Sequence, residues 1–331
     1  MQTDAKMTAA EAAVFLGVSI QSVHKKLKTK KLEFQKNQNR IFFGYQTAKE
    51  LFQISFKKRV IAFQIVKGGT GKTSLAYSIA TRANLYGAKV LCIDLDQQGN
   101  LTQAFGVNAE ELPVMIDILK NDVSLENTIV SVSPGLDIIP SRIENAILDN
   151  VIMLDKMSLE HVYKKKIDIL KKKYDLIIID CPPALGQSVA AIALSVDTII
   201  APVTPEEFSL SGLKITYQEL KNIEENYRKK IAFRLVLNKF DTRTSLSHDV
   251  LSKLMKHTVY GDMLYRSYIR ANQEIPNSIA AGYSIFTSLR PSTAKEDMDL
   301  ITREILEIKE DDNNRQEIYL GNLEEIGKNV A

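Results

Sequence analysis

From Val60 onward, short apolar runs alternate with longer stretches of helical period. Val60–Val66, Lys89–Ile93, Leu136–Ile139, Asp175–Ile179, Thr198–Ala201 and Ile231–Leu237 read as strands buried on both faces. The segments between them, such as the one running to Tyr86, read as covering helices. That alternation predicts an α/β fold, a mostly parallel sheet with helices on both faces.

The residues ahead of Val60 follow a different pattern. Thr8 and Glu11 have the spacing of a capping box, Ala12, Ala13 and Leu16 give a short apolar face, and Gly17 stops the helix. A second helix starts at Ser19, with Ile20, Val23 and Leu27 inward and Gln21, Ser22, Lys25, Lys26 and Lys28 outward. Leu32–Gln35 and Arg40–Gly44 flank Lys36-Asn37-Gln38-Asn39 as a hairpin. The spacing suits a helix-turn-helix followed by a wing. Over roughly Met7–Phe52 the segment resembles the MerR-like winged helix-turn-helix.

Charge sharpens this division. Met1–Val60 carry twelve Lys or Arg against four Asp or Glu, whereas the chain of 331 residues as a whole stands at +3. A basic end on a near-neutral chain points to nucleic acid. Lys25, Lys26, Lys28 and Arg40 are then candidates for phosphate contacts, and Gln21 and Ser22 for base edges. With 45% apolar and 25% charged residues the composition is that of a globular chain rather than a disordered one. The apolar runs fall far short of the roughly 20 residues that cross a bilayer, and Met1–Ala10 shows no apolar stretch behind a basic start. The expectation is a cytoplasmic protein with no membrane partner. Cys92 and Cys181 each lie in or at the end of an apolar run and read as buried thiols; two cysteines exclude a disulfide framework or a zinc cluster.

Lys67-Gly68-Gly69-Thr70-Gly71-Lys72-Thr73 follows a predicted strand and opens a helix, the context that makes a phosphate-binding loop. Glycines there let backbone N–H groups close on a β-phosphate, the helix N-terminus adds a favourable partial charge, and Lys72 adds a full one. The Thr73 hydroxyl suits magnesium. Gly68, Gly69, Thr70, Gly71, Lys72, Thr73 and Ser74 are the expected nucleotide cradle. Asp94-Leu95-Asp96 ends the next strand at the carboxyl edge, where ligands sit in open α/β sheets. Carboxylates there suit either a metal's waters or an attacking water. Ile177–Asp180, followed by Cys181-Pro182-Pro183, has the form of a Walker B strand, with Asp180 delivered to the metal's outer shell. Asn238-Lys239-Phe240-Asp241 fits the Asn-Lys-x-Asp pattern by which many GTPases read guanine, and by itself it argues for GTP.

Val66 stands where the usual loop has its first glycine, and Lys67 is an extra lysine five residues before Lys72. This resembles the deviant loop of the ParA/MinD ATPases. The resemblance to ParA-type partition ATPases runs from about Val60 to Glu307, through Pro202–Leu213 and Glu274–Ser278 to Ser284–Phe286. It implies a P-loop ATPase domain over 56–310, after a winged helix-turn-helix over 1–55 and before a polar tail over 311–331.

The same resemblance implies ATP rather than GTP, with Mg2+, and catalytic roles for Lys67, Lys72 and Asp96. Lys67 would reach the partner's phosphates across a nucleotide-bound homodimer, and Asp96 would place the hydrolytic water. Asp94 would lie near the metal and Asn238 against adenine. Where the family has proline after the second aspartate, this chain has Gln97. Further implications are non-specific DNA binding through Arg270, with Arg266 a weaker candidate, slow intrinsic turnover, stimulation by a centromere-bound ParB-like adaptor, and a place on the nucleoid. The N-terminal module adds operator DNA and repression of the protein's own operon. Two other readings stay open. One is MinD-like cycling at a surface, against which the acidic stretch Asp311–Ala331 counts; the other is a nucleotide-responsive transcriptional regulator.

Overall fold

The computed structural model describes residues 5–121 and 123–308. The expected tail over 311–331 lies outside the described residues. Three short strands, β1 (Met7–Thr8), β2 (Gln35–Asn37) and β3 (Arg40–Phe43), form an antiparallel sheet in the order β1-β3-β2. Thr8 caps the helix Ala9–Leu16: its hydroxyl accepts from the Glu11 amide, and the Glu11 carboxylate accepts from the Thr8 amide. Gly17 ends that helix at φ 61°, a left-handed position that glycine adopts without strain. Ser19 caps the following helix, Ile20–Thr29, which buries Val23 and Leu27. The hairpin is tighter than the sequence pattern suggests. Gln38, left-handed at φ 51°, and Asn39 make the whole turn, so Lys36 and Asn37 join the ladder opposite Ile41 and Arg40.

The main sheet contains β4 (Arg59–Phe63), β5 (Val90–Asp94), β6 (Val130–Ser133), β7 (Leu136–Ile139), β8 (Leu176–Asp180), β9 (Thr198–Val203) and β10 (Phe233–Leu237). Their order is β10-β9-β4-β8-β5-β7-β6, parallel at every junction except the antiparallel β6–β7 edge. Alternation along each strand supplies two cores. Ile61, Phe63, Cys92 and Ile178 face one side, while Val60, Ala62, Leu91 and Ile177 face the other. Strands buried on both faces have no polar side to show, which is why their sequences are near-continuous apolar runs. The carboxyl ends of β4, β5 and β8 lie side by side, with Phe63 and Asp94 each opposite Asp180. Loops that leave those three ends must therefore meet.

The N-terminal unit shares a core with the sheet domain. Met7, Ala12, Val23, Leu27 and Phe43 belong to the same buried cluster as Leu75, Ile79 and Ile301. The Phe15 ring lies 4.7 Å from Tyr86 and, edge-on, 5.0 Å from Phe52. Gly87 must be glycine, because a Cβ there would lie 2.5 Å from the Cα of Lys49. Arg82, with a side chain only 2% exposed, pairs with Glu11 of the first helix and with Asp299 of the helix Thr293–Leu306. The chain changes topology near residue 55, but its apolar packing continues across that point.

Candidate nucleotide site

The loop after β4 turns through Gly69 (φ 74°) and Gly71 (φ 95°) into the helix Lys72–Leu85. A Cβ on Gly71 would lie 2.3 Å from Asn238 Nδ2, so backbone angle and space both demand glycine there. Asn238, just beyond β10, donates through Nδ2 to the Thr70 carbonyl at 2.7 Å, and Lys239 Nζ donates to the Gly69 carbonyl at 2.9 Å. Val66 N donates to the Thr216 hydroxyl at 3.1 Å, which steadies the start of the loop. The loop is thus braced from β10 and from the helix Glu207–Tyr227.

Lys72 is buried at the first position of its helix, and its ammonium donates to the carbonyls of Ile65 and Lys67, each at 3.3 Å. Burial lowers its pKa from the ordinary lysine value, while Asp180, Cys181 and Asp96 pull the other way. Thr73 donates its hydroxyl to Asp180 Oδ2 at 2.6 Å. The other Asp180 oxygen, Oδ1, is buried and has no hydrogen-bond partner. Burial and the nearby Asp94 raise the Asp180 carboxyl well above the usual carboxylate range. A buried acid with one orphaned oxygen, beside a threonine hydroxyl and a lysine, has the chemistry of a hydrated-cation site.

Asp94 differs from its neighbour. Its Oδ2 accepts from the Thr102 amide at 2.9 Å and the Thr102 hydroxyl at 2.8 Å, and its Oδ1 accepts from the Asp96 amide at 3.2 Å. Burial pushes its pKa up to about 6 against the pull of those Thr102 hydrogen bonds. Asp94 stands opposite Asp180 on the neighbouring strand, and its two oxygens order the loop, Oδ2 through Thr102 and Oδ1 through the Asp96 amide. Asp96 is buried beside it, and its Oδ1 accepts from the Gln98 amide at 3.0 Å. The turn that follows closes with Gly99 in the left-handed region at φ 62°, so Gln97 sits in an ordered loop without proline.

Asn238 stands beside the phosphate loop, and its side-chain amide holds the Thr70 carbonyl. Asp241, the acid that would read guanine, is held by Arg243 through both Nε and Nη2 at 2.9 Å, and that guanidinium lowers its pKa to about 2. In this structure the Asn and Lys of Asn-Lys-x-Asp brace the loop and the Asp holds Arg243. Lys67 pairs with Glu206 Oε2 at 2.5 Å. Glu206, Thr102 and Thr216 were not singled out by sequence pattern: Glu206 and Thr216 act on residues 139 and 150 positions away, and Thr102 on Asp94 across the intervening loop. Glu206 falls inside the quoted stretch Pro202–Leu213, and Thr216 lies one turn beyond Gly212 on the same helix.

The DNA candidates separate into two groups. Gln21, Lys25, Lys26 and Lys28 are exposed on one helix, and Arg266 is exposed on the sheet domain; Ser22 is half-buried, with its hydroxyl 3.0 Å from that of Ser19. Arg40 and Arg270 are engaged within the protein. Arg40 Nη1 donates to the Leu289 carbonyl at 2.6 Å, which turns it toward the sheet domain. Arg270 pairs with Asp297 through Nε and Nη2 at 2.6–3.0 Å and reaches Glu296 at 3.3 Å, with its side chain 35% exposed. Among the described residues no helix is long and apolar enough to cross a membrane.

Known proteins place this geometry. The sporulation initiation inhibitor protein Soj of Bacillus subtilis is 28% identical over 230 residues, covering 69% of this chain and 90% of the relative. The chromosome-partitioning ATPase Soj of Treponema pallidum is 28% identical over 251 residues, covering 75% and 97%. A putative plasmid partition protein from Borrelia burgdorferi bound to AMPPNP superposes with a TM-score of 0.61 at 24% identity, covering 76% of this chain and 99% of its own. Cobyrinic acid a,c-diamide synthase from Mycobacterium smegmatis with bound ADP and magnesium shares the fold at a TM-score of 0.57 and 27% identity, covering 61% and 83%. The AAA domain family matches residues 58–233, more than half of the sequence, and with the phosphate loop, Asp96 and Asp180 gathered at one sheet edge, this chain belongs to that family and has its ParA-like P-loop fold.

Proposed function

We propose that the protein is a DNA-partition ATPase whose ATP-bound form is a homodimer on DNA. The observation that carries this reading is the meeting of Lys72, the Thr73–Asp180 contact and Asp96 at one loop, beside a lysine, Lys67, that pairs with the surface carboxylate of Glu206. Backbone N–H groups of Gly68–Ser74 bind the phosphates, and Lys72 exchanges its two weak carbonyl contacts for phosphate oxygens. Thr73 and Asp180 hold Mg2+, Asp180 through the cation's waters; the orphaned Oδ1 fits that role. Bound there, the cation neutralises charge on the transferring phosphoryl group. Asp96 orients the attacking water. Lys67 leaves Glu206 and reaches the phosphates of a second copy. An exposed ion pair contributes only about 0–1 kcal/mol, so that exchange is cheap.

The N-terminal unit reads operator DNA through Gln21, Ser22, Lys25, Lys26 and Lys28, and Arg266 adds to non-specific attachment. A centromere-bound adaptor of the ParB kind stimulates hydrolysis. Sedimentation tests the core of the reading: Mg-ATP shifts the chain to a dimer, and Asp96→Ala, unable to hydrolyse, stays dimeric. Single copies of both chains at saturating Mg-ATP would reject it. The operator role is tested by Lys25→Glu with Lys28→Glu, which should abolish a footprint on the protein's own promoter and leave ATPase activity intact. Deleting residues 1–55 is the poorer test, because it bares the core that Met7, Val23 and Leu27 share with Leu75.

A further inference from the structure

A cavity of about 520 Å³ lies between the N-terminal helices and the amino end of the helix Thr293–Leu306, and no residue of the phosphate loop lines it. Three carboxylates reach it, each committed elsewhere. Glu11 caps Thr8 and pairs with Arg82. Asp299 pairs with Arg82 and Arg303 and accepts from the Tyr86 hydroxyl. Glu296 pairs with Arg270. Three cations on the same wall, Arg40, Arg290 and Lys295, have no carboxylate within ion-pair distance among the described residues. Arg40 and Lys295 donate only to the carbonyls of Leu289 and Ser288.

Lys295 is 5% exposed. Burial lowers its pKa from the ordinary lysine value, with Arg82 and Arg40 adding to that effect and Glu11 and Glu274 opposing it. A buried ammonium without a counter-ion is destabilising, and such a cost is commonly kept where a ligand supplies the missing charge. The helix that carries Lys295 directs its amino end at the same space through Ser292, which also favours an anion. Val14 and Ile20, 58% and 43% exposed, give the cavity an apolar wall. Its volume falls within the roughly 300–1,000 Å³ of small-molecule sites.

We propose that this cavity binds a small phosphate-bearing molecule, its anion held by Lys295, Arg290 and Arg40 and its apolar body laid against Val14 and Ile20. The depth of Lys295 favours a free molecule over a phosphodiester held in a duplex. An occupant touches both the hairpin and the sheet domain, and so ties one to the other.

The test is calorimetric titration of the full chain with inorganic pyrophosphate, with the phosphate loop saturated by Mg-ADP and Lys72→Ala run alongside. One pyrophosphate should bind per chain, with equal affinity in Lys72→Ala. Lys295→Met and Arg290→Ser should each weaken it about tenfold or more, the loss of one charge-assisted contact. Lys295→Met should also raise the melting temperature, which a merely structural lysine would not do. Arg290 is exposed, so Arg290→Ser reads the affinity without disturbing the core. Absence of binding, unchanged affinity in both variants, or a lowered melting temperature for Lys295→Met would overturn the proposal. So would a loss of duplex DNA affinity in Lys295→Met with no pyrophosphate bound by the wild type, which would give these cations to DNA.

Discussion

Gly71 offers a sharp test of how the phosphate loop is held. It sits at φ 95°, and a Cβ there would lie 2.3 Å from Asn238 Nδ2. Gly71→Ala therefore meets two penalties. The left-handed backbone costs an alanine about 1–2 kcal/mol. Asn238 must also leave the Thr70 carbonyl that it holds at 2.7 Å, and a buried acceptor left unpaired costs about another 1–3 kcal/mol. The sum, about 2–5 kcal/mol, should lower the melting temperature by about 4–10 °C in a chain of this size. Asn238→Ala incurs only the second penalty, about 1–3 kcal/mol. In the double variant that penalty is counted once, so it should be about 1–3 kcal/mol more stable than the two single losses added together. The assay is thermal or urea unfolding of the four chains of the cycle without nucleotide. Losses that add to within about 0.5 kcal/mol would show that Asn238 does not press on Gly71, and the account of the loop would fail.

Other outcomes follow from the same geometry. Asp180→Asn keeps the Thr73 contact and removes a buried charge, so it should be more stable than the wild type at neutral pH while losing hydrolysis. Because the folded pKa of Asp180 lies above its ordinary 3.8, the wild type's deficit is absent below about pH 4 and grows as pH rises through the folded value; equal stabilities at pH 7 would refute this. Arg82→Met removes the cation shared by Glu11 and Asp299, leaving Glu11 to its Thr8 contacts and Asp299 to Arg303 and the Tyr86 hydroxyl, and should cost about 3–5 kcal/mol by thermal or urea unfolding. Calorimetry should show one cooperative transition in the wild type, since one core spans the N-terminal unit and the sheet domain; two resolved transitions would contradict that packing. Cys92 and Cys181 are buried, and burial raises both thiols above the ordinary value, so a thiol reagent should label neither until the chain unfolds. Fast labelling of the native protein would disprove it.

Local chemistry let the sequence by itself determine much of this protein. Runs such as Ile177–Ile179 announce strands because a sheet covered on both faces offers no polar side, and Thr8, Glu11 and Gly17 mark a helix through contacts three to four residues away. The phosphate loop was legible for the same reason: Gly69 to Thr73 are contiguous, and the left-handed turns at Gly69 and Gly71 are a local demand that glycine announces. Only the tertiary structure decided which of two neighbouring acids keeps an oxygen free, since Thr102 lies eight residues from Asp94 and 78 from Asp180. It also decided that Asn238 braces Thr70 across 168 residues, that Asp297 takes Arg270, and that Leu289 takes Arg40. Periodicity reports whether a side chain faces inward or outward, but not what awaits it there. That partner is set by how the sheet's carboxyl edge and the N-terminal unit close on their loops, and closure at such distances depends on packing that no short window of sequence contains.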